Sequence, residues 1–248
     1  MKTTRAQQDA TRARLVEAAA TLMGAQGFDA VSMKDIAREA GVGDATIYKY
    51  FPTKERLILG YFDLRATQAV AVAAATPEFD QFDLHARLQR LTDAVLEGLA
   101  PNRPFVALAR ELLARSPLLL LGDELQAKGV LKEAVAGYFE DAVAVGELPP
   151  SDHHRFIAGL YADFCQGVIA YWLHDPTEGA AETTRLSDEL LGLLVAALRA
   201  GLPDRLVSLA GFLLRSQLAR LMDQRLATES GGGTGPGRRR ARRPWHTS

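Results

Sequence analysis

Apolar side chains recur at three- and four-residue spacing along almost the whole chain up to about residue 227. With 3.6 residues to a helical turn, that spacing gathers them into one stripe per helix, and the chain is rich in Ala and Leu and poor in the β-branched runs that favour strands. The breaks hold residues that end helices: Gly27, Gly41, Pro77, Pro101, Pro104, Pro117, Pro149, Pro150, Pro176 and Pro203. The pattern predicts an all-α fold. Its helices fall near 9–26, 33–40, 44–50, 53–75, 82–99, 104–115, 118–145 (open to a break at Gly129), 152–174, 178–200 and 204–227.

The fourth segment begins inside the N-terminal group and runs far beyond it. Two domains sharing a helix are therefore expected, 1–56 and 57–228, with the boundary near Arg56. From Gly231 the text GGGTGPGRRRARRPWHTS has no periodicity and little apolar surface to offset chain entropy, so 229–248 reads as a disordered basic tail.

Formal net charge is -1 over 248 residues, but it is unevenly spread. Residues 1–56 carry nine basic and seven acidic side chains, the middle of the chain is acidic, and Arg238 to Arg243 add five positive charges. A polyanion would be met at the N-terminus, not by the acidic middle. The polar residues Met1 to Arg14 do not resemble a signal-peptide core, and no run approaches the roughly 18 consecutive apolar residues of a bilayer span. Cys165 is the only cysteine, which rules out an intrachain disulfide and any multi-cysteine zinc site. A cytoplasmic protein without metal or cofactor is the expectation.

The first three helices carry the most specific signal. Leu15, Ala18, Ala19 and Leu22 share one face of the first, Gly27 supplies a left-handed stop, and Phe28 and Val31 read as core plugs. Ser32-Met33-Lys34-Asp35 fits a capping box that starts the second. That helix ends at Ala40-Gly41-Val42-Gly43, and Gly43 or Asp44 caps a third, two-turn helix to Tyr50. Two short helices joined by a glycine-containing turn form the helix-turn-helix layout, whose second helix enters the major groove.

Ile47 must face the first two helices with Ile36, Ala37 and Val42. Asp44, Ala45, Thr46, Tyr48, Lys49 and Tyr50 are then directed wholly or partly outward, a surface suited to phosphates and base edges. Lys34 and Lys54 lie in the first turns of the second and fourth helices, where the helix dipole disfavours cations unless an anion is bound nearby. The competing reading is that both tyrosines are partly buried and both lysines are ordinary surface charges compensated by Asp35 and Glu55.

The text GVGDATIYKYFPTKERL, with Gly27-Phe28, Met33 to Ala37 and Gly41-Val42 in register, resembles the TetR-family signature over roughly residues 10–60. The resemblance implies a dimeric transcription regulator, a repressor that binds a palindromic operator in double-stranded DNA and is released by a small, largely apolar effector. It implies base or phosphate contacts from Thr46, Tyr48, Lys49 and Tyr50, a phosphate contact from Lys54, and a specificity-setting place for Asp44.

Beyond residue 60 the likeness is architectural. Phe105, Leu108, Leu112, Tyr138, Phe164, Cys165, Val168 and Trp172 recur on helical faces beside Arg110, Asp163, Gln166 and His174, and periodicity does not separate a core from a ligand box. The resemblance makes these eight the candidate ligand-binding residues. It also implies dimerisation through helices 152–174 and 178–200 as a four-helix bundle, with Leu186, Leu190, Leu193, Leu194, Ala197 and Leu198 compatible with such a seam. The segment 204–227 is an addition to the simplest family pattern.

Two other readings are weighed. A DNA-binding regulator without a small ligand would have a solid core around the aromatics. An all-α enzyme would need a catalytic constellation, and the chain shows no phosphate-cradling glycine loop, metal-spaced cluster or nucleophile elbow. His153, His154 and His174 stand more than two helical turns from Cys165, too far along one helix for a thiol-imidazole pair.

Overall fold

The computed structural model describes residues 4–115 and 126–205. Its helices are α1 (Arg5–Gln26), α2 (Met33–Glu39), α3 (Asp44–Tyr50), α4 (Lys54–Ala74), α5 (Leu84–Leu99), α6 (Arg103–Arg115), α7 (Gln126–Ala144), α8 (His154–Trp172) and α9 (Ala181–Arg199), joined in part by short 3-10 turns, and no strand occurs among the described residues. All nine belong to one compact unit that ends at Leu202.

Local chemistry sets most of the helix ends. α1 starts a turn earlier than its apolar stripe suggests, because Thr4 and Gln7 form a reciprocal capping box. The Ser32 hydroxyl accepts from the Asp35 amide at 3.2 Å while the Asp35 carboxylate accepts from the Ser32 amide at 3.1 Å. Thr53 and Asp83 cap α4 and α5 with one bond each, accepting from the amides of Arg56 and Ala86. Gly27 and Gly41 end α1 and α2 with φ of +87° and +64°, values that favour glycine.

α7 runs unbroken through Gly129, so no break occurs there. The first residues of the segment expected from 118, the body of the helix expected over 204–227 and the basic tail lie outside the described residues.

Leu15, Val16, Ala19 and Met23 of α1 pack with Ile36, Ala37, Ile47, Phe51, Leu57, Ile58 and Tyr61 in one buried cluster that continues into α5 to α9. Phe51 lies so close to α4 that a Cβ at Gly60 would stand 2.6 Å from its ring. Only glycine permits that approach. Long-range polar ties add to the packing: Arg65 pairs with Glu17 at 2.8 Å, and the Arg12 guanidinium lies 4.8 Å from the Phe51 ring centre and 3.8 Å from the Asp63 carboxylate.

α4 is long and apolar enough, by length and composition alone, to cross a membrane, with a mean hydropathy of 1.2 over its best window. It instead packs against α1, α5 and α7 and buries Leu57, Ile58, Tyr61, Ala66, Ala69 and Ala73 in the core.

Candidate nucleic-acid interface and ligand cavity

α3 is a two-turn helix anchored by one residue. Ile47 is buried against Ile36 and Ala37 with Val42 packed beside it, and this fixes which side chains face out. Asp44, Ala45, Tyr48 and Lys49 are exposed; Tyr48 keeps 51% of its surface accessible. Gly43 takes the N-cap position without a side-chain bond, leaving Asp44 in the first turn. Thr46 is half-buried, and Tyr50 is half-buried against the core beside Arg12, Phe51 and Arg56, so it presents only an edge to solvent.

The two lysines part company. Lys34 is exposed on the first turn of α2. Lys54 is tied into the chain: its ammonium donates to the carbonyl of Phe28 at 2.6 Å and of Val31 at 3.0 Å, and sits 4.0 Å from the Phe28 ring centre. The charge clasps the loop between α1 and α2 to the start of α4. Charge-assisted bonds and the ring face satisfy it within the chain.

The aromatic stripe of the larger region packs in or against the core. Phe105, Cys165, Val168 and Trp172 are buried, and Leu108, Leu112, Tyr138 and Phe164 pack against them. Phe105 meets Tyr61 edge-to-face at 4.9 Å, and its backbone leaves 3.4 Å for a Cβ at Gly24. Tyr161 donates to the Leu88 carbonyl at 3.2 Å and shares a 2.8 Å bond with Thr92. Burial pushes the Cys165 thiol up to about 12, so it stays protonated at neutral pH. Such a thiol is no nucleophile.

A cavity of about 360 Å³ lies elsewhere, between α4, α6, α7 and α8. Leu59, Phe62, Leu113, Ala114, Ala127, Leu131 and Ala162 give it apolar walls, and Asp63, Arg110, Lys128 and Gln166 bring polar groups. None of the eight expected residues lines it. Arg110 and Gln166 stood out in the sequence only as polar neighbours of the stripe, and convergence from four helices leaves no local signal. Desolvation raises the Asp63 carboxyl above its ordinary value, opposed by the Ala127 amide that donates to it at 2.9 Å and by Arg12.

Another apolar surface runs along the outside of α8 and α9. Phe156, Leu160 and Tyr171 of α8 and Leu190 and Leu193 of α9 are exposed, Phe156 and Leu193 with 68% of their surface accessible. Of the expected seam, Leu198 is buried in the chain's own core and Leu194 packs against it. The turn between the two helices is tied down by Asp175, whose carboxylate accepts from Thr177 and Thr183 amides and hydroxyls at 2.5–2.9 Å. Those bonds hold its pKa well below the usual carboxylate range. Arg103 of α6 donates to the Trp172 and Asp175 carbonyls at 2.7 and 3.0 Å.

Comparison with known proteins meets this geometry at its N-terminal end. Residues 15–61 match the model of the tetR family of bacterial regulatory proteins. The transcriptional repressor KstR of Mycobacterium tuberculosis is 25% identical over 170 residues, covering 65% of this chain and 70% of its own. The transcriptional regulator BetI of Rhizobium meliloti is 43% identical over 72 residues, covering 27% and 36%. Among solved structures, Salmonella enterica GusR superposes with a TM-score of 0.57 at 24% identity, over 81% of this chain and 100% of its own. A TetR-family regulator from Syntrophomonas wolfei superposes with a TM-score of 0.61 at 19% identity, over 77% and 98%. The structural likenesses carry the fold, and residues 15–61 carry the likeness to the DNA-binding segment of the tetR family of bacterial regulatory proteins.

Proposed function

We propose that this chain is a cytoplasmic repressor that binds a palindromic operator as a homodimer and leaves it when a small effector enters the cavity. The observation that carries the DNA-binding part of this reading is α3, where Tyr48 and Lys49 stand exposed beside Asp44 and Ala45 while Ile47 is the helix's fully buried residue. A lysine suits phosphate, and a tyrosine offers both a donor and an apolar ring to a base edge. Thr46, the accessible edge of Tyr50 and Lys34 extend that surface.

Residues 1–56 serve as the DNA-binding part and 57–228 as the effector-binding and dimerising part, with α4 belonging to both. Dimerisation is assigned to the exposed faces of α8 and α9. Phe156, Leu160, Gly167 and Tyr171 fall on one side of α8, and Gly167 has open space beyond it that would let a partner helix approach closely. A dimer supplies the two recognition helices that a two-fold operator requires.

The effector part rests on the cavity, whose volume lies within the range of about 300–1,000 Å³ found for small-molecule sites. Leu59, Phe62 and Asp63 place α4 directly in its wall. A ligand there contacts the helix that also packs the DNA-binding core, so differential binding to two placements of α4 would change operator affinity. The cavity favours this reading over a regulator without a small ligand.

The experiment is fluorescence anisotropy with duplex DNA from beside the protein's own coding region. Replacing Tyr48 and Lys49 together by alanine is expected to weaken binding by at least about tenfold, with the unfolding temperature unchanged. Undiminished binding by that variant would sink the assignment of α3.

A further inference from the structure

The polar groups on the cavity wall are not equally occupied. Lys128 is paired with Asp163, and Asp63 is held by the Ala127 amide and faces Arg12 at 3.8 Å. Arg110 differs. Among the described residues its guanidinium donates only to neutral oxygens of Gln166, the carbonyl and the side-chain amide oxygen, both at 3.1 Å. No carboxylate among the described residues pairs with it, although desolvation beside the apolar walls already pulls its pKa down. Partly desolvated cations are ordinarily matched by a counter-charge, and a guanidinium has five N–H donors arranged to take a carboxylate in a two-pronged bond.

We propose that the cavity is built for an aliphatic monoanion, an apolar chain ending in a carboxylate, with Arg110 as the group that receives the carboxylate. The ligand's chain lies along Leu59, Phe62, Leu113 and Leu131, and its carboxylate supplies a counter-charge that none of the described residues gives Arg110. A cationic ligand would meet Arg110 and Lys128 with unfavourable charge. This assignment rests on the reading of the cavity as the effector site.

The test titrates decanoate, 1-decanol and decylamine separately into the full-length protein near about pH 7.5, where the acid and the amine are both charged. Calorimetry is run on the native chain, on Arg110→Gln and on Ala114→Trp, the last placing a bulky ring at an exposed position on the cavity wall. Decanoate is expected to bind the native chain at least about tenfold more tightly than the alcohol or the amine. In Arg110→Gln its affinity should fall to that of the alcohol, whose own affinity stays put, and Ala114→Trp should weaken both. Equal binding of acid and alcohol by the native chain, or a preference that survives in Arg110→Gln, overturns the charge assignment and leaves the cavity as a neutral site. If none of the three probes shows binding that Ala114→Trp weakens, the effector reading falls and this proposal falls with it.

Discussion

α3 and α8 both leave aromatic side chains in solvent, and the company those side chains keep differs. On α3 the exposed Tyr48 has a lysine, an aspartate and an alanine around it on a helix of seven residues. On α8 the exposed Phe156, Leu160 and Tyr171 belong to a face that runs the length of nineteen residues, continued by Leu190 and Leu193 on α9. An isolated aromatic ring among polar neighbours suits a hydrated, charged partner such as a duplex, whereas an extended apolar stripe suits another stripe. On the proposed function, the contrast would let one residue class serve two partners.

The largest effect is expected where the two surfaces depend on each other. Introducing Phe156→Glu with Leu193→Glu should convert the dimer to a monomer in sedimentation velocity, and losing the second half-site should lower operator affinity by about 100-fold or more. A variant that stays dimeric would break the comparison at α8. Next in size is the divergence of the two lysines. Lys54→Met should destabilise the fold by about 1.5–3 kcal/mol in urea unfolding, because it leaves the carbonyls of Phe28 and Val31 without their charged donor.

Lys34→Ala should leave stability within about 0.5 kcal/mol. If Lys34 touches a phosphate, that variant should instead lower the dependence of log affinity on log salt by about 0.9. The reverse pattern, with stability following Lys34 and the salt slope following Lys54, would refute the division between them.

The smallest effect concerns acid stability. The Asp175 carboxyl releases its proton more readily in the folded chain than at its ordinary value of 3.8, so the folded state binds fewer protons than the unfolded one. Its contribution is complete above about pH 5 and is lost as pH falls through about 4 and below. Asp175→Asn should therefore lower the unfolding temperature at neutral pH, and the gap from the native chain should narrow in acid. A gap that is constant with pH would mean that the α8–α9 turn does not depend on this charge.

How much of this was legible beforehand follows from how far apart the partners lie in the chain. The helix-turn-helix was readable because its determinants are local: Ser32 and Asp35 are three residues apart, and Ile47 declares the inner face of α3 by itself. The clasp made by Lys54 was not legible because Phe28 and Val31 stand 26 and 23 positions away, and the dipole rule takes no account of carbonyls delivered by another loop. Tyr50, expected wholly or partly outward, is half-buried, since a two-turn helix gives little warning of which rim residue folds back.

That the cavity wall and the aromatic stripe are different residues has another reason. Large rings at helical spacing are what a dense core needs, and Phe105, Trp172 and their neighbours fill it. The cavity wall is made instead of modest residues such as Ala114, Ala127 and Ala162, whose small side chains leave the space open. Nothing in a helical period distinguishes an alanine that leaves a void from one that fills a narrow gap.

The shared helix has a mechanical consequence. α4 runs for 21 residues without a proline, from the Lys54 clasp past the cavity wall, which makes it a rod about 31 Å long. A rod that length swings its far end by about 0.5 Å for each degree it rotates about the near one, by the same helix geometry. A small ligand-driven rotation would thereby be magnified over the length of the helix, and stiffness, not a flexible joint, is the property on which signalling through it would depend.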